Sequence, residues 1–392
     1  MRTLKILVTG GGSSGHISPA LAIIKTIQEL GAQDSRRDGT AWTPRFLYIG
    51  GKRGLEQNLV ETAGIEFSDV ETGKLRRYFS LENIVDQFRL PVGVAQSLRI
   101  IRRFRPDVVF STGGYVAVPP VLAARLLRVP VIIHEQTVQI GLANRITARF
   151  ATRIALSFES ALQELPAAER GRAFVVGNPV RSAIFGGEPA QALRWAGFAS
   201  SEDEALPTLY ITGGSQGARV INRAVESVLP DLLGFCRIIH QCGQQPAGDE
   251  QDYDRLELAA RRLPPELRRR YHFMRFIAEE IKHVYALAHL VLGRAGAGTV
   301  AEICALGKPA VYVPLVPTGG DEQTRNAKMC VDVGAATIIP QAEMNGARLL
   351  QALQELLPDK ARLDAMGRAA LTLAKPDAAR DMAQAVIALA RG

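Results

Sequence analysis

His16 stands directly behind a glycine-rich run, Gly10-Gly11-Gly12-Ser13-Ser14-Gly15, that closes the apolar stretch Ile6-Leu7-Val8-Thr9. An imidazole exchanges a proton near neutral pH, so His16 is a candidate general base; the alternative is a hydrogen bonder at a helix start. A second run, Gly213-Gly214-Ser215-Gln216-Gly217-Ala218-Arg219, follows Leu209-Tyr210-Ile211-Thr212. It offers backbone N–H groups and a serine hydroxyl, the chemistry that grips a phosphate at a helix N-terminus. Further on, Arg294-Ala295-Gly296-Ala297-Gly298-Thr299-Val300-Ala301-Glu302 runs through small residues into a helix-like segment. Small side chains let the backbone approach a diphosphate, and Glu302, about one turn in, can accept both hydroxyls of a ribose. Asp321-Glu322-Gln323 adds acceptors and an amide for sugar hydroxyls. Together these groups describe a nucleotide-sugar pocket.

Two more polar clusters lie at the ends of apolar runs in the first half. Ser111-Thr112-Gly113-Gly114-Tyr115 is a third glycine turn, and Val131-Ile132-Ile133 ends in His134-Glu135-Gln136. Polar groups at the tips of buried strands gather at one crevice. The simpler reading of His134 and Glu135 is that they hydrogen-bond each other and fix a loop, and it is preferred for His134. Walker lysine, His-Glu-x-x-His and nucleophile-elbow motifs are missing. Gly10, Gly12 and Gly15 satisfy Gly-x-Gly-x-x-Gly, but Phe46 to Gly51 carries no strand-end acid for an NAD ribose.

These groups need a scaffold that presents strand ends to one side. Apolar runs predict strands over Leu4 to Thr9, Arg45 to Ile49, Val108 to Ser111, Val129 to His134, Arg153 to Phe158 and Phe174 to Gly177. Amphipathic segments between them predict helices over Pro19 to Leu30, Gly54 to Ala63, Pro91 to Phe104 and Pro120 to Leu127. The second half repeats the scheme with strands over Thr208 to Thr212, Arg237 to Gln241, Leu290 to Gly293, Ala310 to Val313 and Ala336 to Ile339. Alternating strands and helices imply parallel sheets with right-handed crossovers, so the class is α/β with two doubly wound domains. The boundary falls near Asn178-Pro179-Val180-Arg181. Gly31 to Pro44 and Gly186 to Pro207 read as surface excursions, and Pro376 to Arg391 as an amphipathic helix packing back across the junction.

Size and composition agree. A chain of 392 residues, 47% hydrophobic and 22% charged, is that of a soluble globular protein with two full cores. Neither a secretion signal nor a bilayer span is expected, since the most apolar stretch, Tyr115 to Ile133, is broken by Pro119, Pro120, Arg125, Arg128 and Pro130. Cys236, Cys242, Cys304 and Cys330 lack metal-ligand spacing and read as reduced, buried thiols. The net charge of +8 is uneven: Lys74, Arg76, Arg77, Arg89, Arg99, Arg102, Arg103 and Arg105 face only Glu82 and Asp86 within the same stretch. Such a stretch fits an anionic partner, whether lipid headgroup, pyrophosphate or nucleic acid, or is simply a solvated helix face.

As a set, the first glycine loop with His16, Gly113-Gly114-Tyr115, His134-Glu135-Gln136, Gly177-Asn178-Pro179-Val180-Arg181, Gly213 to Arg219 and Thr299-Val300-Ala301-Glu302 resembles the bacterial MurG family. These are the undecaprenyldiphospho-muramoylpentapeptide β-N-acetylglucosaminyltransferases of glycosyltransferase family 28. The match runs in order from about Leu4 to the C-terminal helix. It implies a GT-B architecture of two Rossmann-like domains facing a cleft. Residues 1–181 would form the acceptor and membrane-docking domain, joined by helix 376–392, and residues 182–375 the UDP-GlcNAc domain. The implied reaction moves N-acetylglucosamine from UDP-GlcNAc to undecaprenyl-pyrophosphoryl-MurNAc-pentapeptide (lipid I), giving lipid II with inversion.

The resemblance also implies residue roles. His16 would deprotonate the acceptor. Donor contacts would be Ser13, Ser14, Gly15, Arg181, Ser215, Ile277, Ala297, Gly298, Thr299, Val300, Glu302 and Gln323. Among them, the Ile277 backbone would meet uracil, Arg181 and Ser215 the diphosphate, Glu302 the ribose and Gln323 the sugar. Tyr115, Glu135, Thr137 and Asn144 are candidate substrate contacts. No cofactor or essential metal is expected, and no nucleic-acid partner. Arg76, Arg77, Arg102 and Arg103 would dock the protein on an anionic membrane at the cytoplasmic face, peripherally, with cell-wall or division proteins as candidate partners. The chain departs from the family pattern at Ser13 and Ser14, at Thr137 after His-Glu-Gln, at Ala301 and at Glu322. The competing readings are another GT-B glycosyltransferase with a lipid or natural-product acceptor, a UDP-GlcNAc epimerase, and a non-catalytic sugar-nucleotide binder.

Overall fold

The computed structural model describes residues 2–12, 14–37, 42–52, 56–73, 81–198, 205–245, 249–316 and 321–392, with the backbone alone at 14, 35–37 and 81–88. Ser13, Arg76 and Arg77, together with the side chain of Ser14, lie outside the described residues. The chain forms two compact units, one of residues 1–181 with 375–392 and one of residues 182–374.

The first unit is built on seven parallel strands: β1 (Arg2–Thr9), β2 (Trp42–Gly51), β3 (Glu66–Val70), β4 (Val108–Ser111), β5 (Val131–Glu135), β6 (Arg153–Leu156) and β7 (Ala173–Val175). Their order is β3-β2-β1-β4-β5-β6-β7. β4 and β5 are buried along their whole length, which explains why they read as unbroken apolar runs: a parallel sheet is covered on both faces. Successive residues of β1 point to opposite faces. Ile6 and Val8 join Ile23, Ile27, Phe110 and Ile132 in one core layer, while Leu7 joins Ile49, Val109, Val121 and Ile133 in the other. The final helix (Ala378–Arg391) closes the first layer with Met382, Ala383, Val386 and Ile387. Met382 and Val386 are fully excluded from water, worth about 2 kcal/mol each, which ties this helix to the first unit although the intervening chain builds the second.

The second unit carries six parallel strands: β8 (Thr208–Thr212), β9 (Arg237–Gln241), β10 (Tyr271–Met274), β11 (Leu290–Gly293), β12 (Ala310–Tyr312) and β13 (Ala336–Ile338). Their order, β10-β9-β8-β11-β12-β13, repeats that of the first unit. In both sheets the order reverses beside the first strand, between β1 and β4 and between β8 and β11. Ligands of open α/β sheets bind outside the carboxyl ends of strands at this switch point. The glycine runs leave β1, β4, β8 and β11 there.

Several elements differ from expectation. β3 and β10 were not anticipated. β3, Glu-Phe-Ser-Asp-Val, is a half-exposed edge strand with one fully buried residue, and β10 is four residues at the edge of the second unit's sheet. Short edge strands lack the apolar run that marks a central one. Gly31 to Arg37 is not an excursion but the end of a helix spanning Ser14–Arg37, and Pro189–Ala196 within the second supposed excursion is also helical. The helix read from Pro91 begins at Leu81, with Pro91 inside it. The four cysteines are free and buried. Among the described residues no helix is long and apolar enough to cross a membrane.

Candidate active site

In the first unit the glycine loop leaves β1 and enters the 24-residue helix at Ser14, placing Gly15 and His16 in its first turn. Gly11 N–H donates to the Gly113 carbonyl at 3.2 Å, which draws the β1 and β4 loops together. Gly113 and Gly114 hold φ of +90° and +81°, a region that disfavours side chains, and a methyl on Gly114 would overlap the Gly11 carbonyl. Tyr115 opens the short helix Tyr115–Ala117 and lays its ring edge against Gly12.

His16 is half-buried, and its Nδ1 lies 2.9 Å from the Thr112 carbonyl oxygen. A carbonyl can only accept, so Nδ1 carries a proton, and in the neutral ring the lone pair lies on Nε2. Gln136 Nε2 donates to the same carbonyl at 2.9 Å, holding the acceptor in place from the β5 side. Gln136 was noted as a polar strand tip; its link to His16 through a backbone oxygen left no sequence signal.

His134 and Glu135 do not bond each other, contrary to the simple reading, because neighbouring strand residues point to opposite faces. His134 is fully buried, its Nε2 within 3.0 Å of the Gly177 carbonyl and 3.2 Å of Ser157 Oγ. Burial pulls its pKa down to about 4 against the bond to Gly177, so it is a neutral structural residue. Glu135 accepts from Thr137 N and Oγ1 at 3.0 and 2.9 Å with one oxygen, and from Gly141 N and Asn144 Nδ2, both at 3.0 Å, with the other. Three of the candidate substrate contacts, Glu135, Thr137 and Asn144, therefore bind one another and shape the loop after β5.

In the second unit Ser215 is exposed on the turn between β8 and helix Arg219–Ser227. Gln241, at the end of β9 and not singled out from sequence, organises this side. Its amide donates to Thr212 Oγ1 and the Gly214 carbonyl at 3.2 Å each, and its oxygen accepts Ile277 N–H at 3.0 Å. The Ile277 amide is thus engaged, and a uracil would use the carbonyl or displace Gln241. Below lies a buried polar network. Asn222 Nδ2 donates to the Cys242 carbonyl at 2.9 Å and to Asp252 at 2.7 Å, while its oxygen accepts from His240 Nε2 at 2.9 Å. Asp252-Tyr253-Asp254 is an Asp-x-Asp pair. Asp252 is buried in this network, and Asp254 pairs with Arg275 at 3.3 Å.

Helix Ala297–Ala305 starts after Gly296 without a side-chain cap, so among the described residues its first-turn amides at Ala297, Gly298 and Thr299 are not met by a capping side chain. Positions 296 and 298 border open space. Val300 is buried behind them, and Glu302 is half-buried with Oε2 accepting the Tyr285 hydroxyl at 3.2 Å. Gln323, in helix Glu322–Asp332, accepts Leu315 N–H at 3.0 Å through its oxygen. Asn326, from the same helix, ties the Ala295 carbonyl at 3.0 Å. Arg181 is exposed at the end of the first unit's main segment, and Arg102 and Arg103 are exposed in the last turn of helix Leu81–Phe104.

Comparison with known proteins accounts for both halves. The profile of the Glycosyltransferase family 28 N-terminal domain matches residues 6–156, and that of the family 28 C-terminal domain matches residues 208–382. A Treponema pallidum protein named UDP-N-acetylglucosamine--N-acetylmuramyl-(pentapeptide) pyrophosphoryl-undecaprenol N-acetylglucosamine transferase is 38% identical over 381 residues, covering 97% of this chain and 94% of its own. A protein of the same name from Lachnospira eligens is 35% identical over 357 residues, covering 91% and 92%. The crystal structure of Acinetobacter baumannii MurG superposes with a TM-score of 0.73 at 27% identity, covering 98% of this chain and 99% of that one. A UDP-GlcNAc 2-epimerase from Neisseria meningitidis shares the fold alone, with a TM-score of 0.62 at 14% identity over 99% and 100% of the two chains. With both of its domains matched, the chain belongs to glycosyltransferase family 28.

Proposed function

We propose that the protein transfers N-acetylglucosamine from UDP-GlcNAc to lipid I, with inversion, in peptidoglycan synthesis. The observation that carries the mechanism is the Thr112 carbonyl on His16 Nδ1, which leaves Nε2 as the only ring nitrogen able to take a proton. The acceptor hydroxyl loses its proton to Nε2 while its oxygen bonds to the anomeric carbon. The bond from that carbon to the β-phosphate oxygen breaks, and UDP leaves with the electron pair. Negative charge building on the diphosphate is met by the amides that open helix Ala297–Ala305, by the Ser215 turn and by Arg181. Glu302 accepts the ribose hydroxyls, and Gln323 addresses the sugar with its amide nitrogen. The first unit thus supplies the base and Arg181, and the second unit the rest of the grip on the nucleotide.

No essential metal enters this scheme, so a chelator should leave turnover unchanged. Arg102 and Arg103, with the cationic residues before them in sequence, would seat the enzyme on an anionic bilayer at the cytoplasmic face, where a polyprenyl acceptor lies. The test is incubation with labelled UDP-GlcNAc and a short-chain lipid I analogue, followed by chromatography. Elongated lipid with free UDP supports the reading. An isomerised sugar nucleotide would indicate an epimerase, and binding without product a non-catalytic protein.

A further inference from the structure

Glu56 opens the seven-residue helix Glu56–Thr62, and its side chain is fully buried. One carboxylate oxygen accepts Gly12 N–H at 2.9 Å. The other is buried and meets no donor among the described residues. Burying a polar side chain costs stability unless it is hydrogen-bonded. The reason for burying Glu56 lies in the loop above. Gly11 is pressed so closely on the carboxylate that an added methyl would overlap it, and Gly12 holds φ of +86°. The same loop is anchored by the Tyr48 hydroxyl on the Gly10 carbonyl at 2.7 Å, and Glu56 lies close enough for its charge to add to the burial that pushes the Tyr48 hydroxyl up. Gly12 is the last described residue before the helix that carries His16.

We propose that Glu56 is a positioning residue for the transfer reaction, acting through Gly12 on His16. Thr112 fixes the imidazole ring, and Glu56 fixes the backbone turn from which its helix departs. The two restraints together set where Nε2 points. Gly12 N–H is turned inward onto the carboxylate, and loss of that bond releases Gly12. This inference rests on His16 serving as the base.

The test compares Glu56→Ala, Glu56→Asp and Glu56→Gln in the lipid I assay. Glutamine keeps an oxygen within reach of Gly12 N–H, whereas aspartate keeps the charge on a stem one methylene too short. Alanine and aspartate should lower kcat about 10- to 100-fold while KM for UDP-GlcNAc stays within about twofold, and glutamine should recover kcat to within about threefold of wild type. The idea is overturned if aspartate retains wild-type kcat, if glutamine is as impaired as alanine, or if KM for the donor rises in step with the loss. Should alanine fail to fold, the aspartate and glutamine pair decides the question alone. Turnover by the wild-type enzyme in the same assay tests the underlying reading separately, so a failure confined to the variants counts against Glu56 only.

Discussion

Acid should loosen the second unit from its interior. His240 is fully buried on β9, its Nε2 donating to Asn222 and its Nδ1 within 3.0 Å of the Tyr271 hydroxyl, an arrangement that a neutral ring satisfies. Burial pulls its pKa down to about 3 from an ordinary 6.5. The unfolded chain therefore binds the proton more readily. This histidine's contribution is fully present above about pH 6.5 and is lost progressively as pH falls through the window toward 3. Each unit within the window is worth about 1.4 kcal/mol, so going from pH 7 to pH 5 crosses about 1.5 units of it and removes about 2 kcal/mol. Against a domain stability of about 5–15 kcal/mol that loss is large enough to measure. The protein has two tryptophans, Trp42 in the first unit and Trp195 in the second, so urea unfolding of a Trp42→Phe background reports on the second unit. Placing His240→Gln in that background should flatten the pH dependence by about 2 kcal/mol between pH 7 and 5, whatever its absolute stability. Equal slopes with and without His240 would refute the reasoning.

Three further outcomes follow from the site. His16→Ala should lower kcat at least about 100-fold with donor KM unchanged, and turnover within severalfold of wild type would remove His16 as base. Glu302→Ala should raise KM for UDP-GlcNAc about 10-fold or more, from loss of charge-assisted bonds worth about 1.5–3 kcal/mol, while UDP titration by calorimetry shows the same loss; an unchanged affinity would place the ribose elsewhere. Replacing Arg102 and Arg103 by alanine should weaken flotation with anionic liposomes and reduce its salt sensitivity, and a variant that floats like wild type would end the docking proposal.

The central strands of both sheets were legible because full burial on two faces demands continuous apolar runs, as in Val108 to Phe110 and Leu209 to Ile211. The glycine turns were legible because close backbone approach excludes a side chain, whatever the context. The edge strands β3 and β10 were not, since one exposed side relaxes the demand for apolar residues. Glu56 passed unnoticed within an ordinary amphipathic stretch. Glu135 and Asn144 looked available for substrate because nothing in their spacing announces that they bind each other at 3.0 Å.

Local chemistry along the chain was enough to determine which residue types stand at strand ends: glycine loops, one imidazole behind the first, and a carboxylate one helical turn inside Ala297–Ala305. Those depend on short-range rules of backbone freedom, periodicity and burial. Only the folded molecule decided which groups remain at liberty. The Thr112 carbonyl, 96 residues away in sequence, selects the proton-bearing nitrogen of His16, and Glu56, 44 residues beyond Gly12, holds the loop. Hydrogen bonds between distant strand ends arise from sheet order, and a parallel sheet brings together segments that no periodicity within either one can foretell.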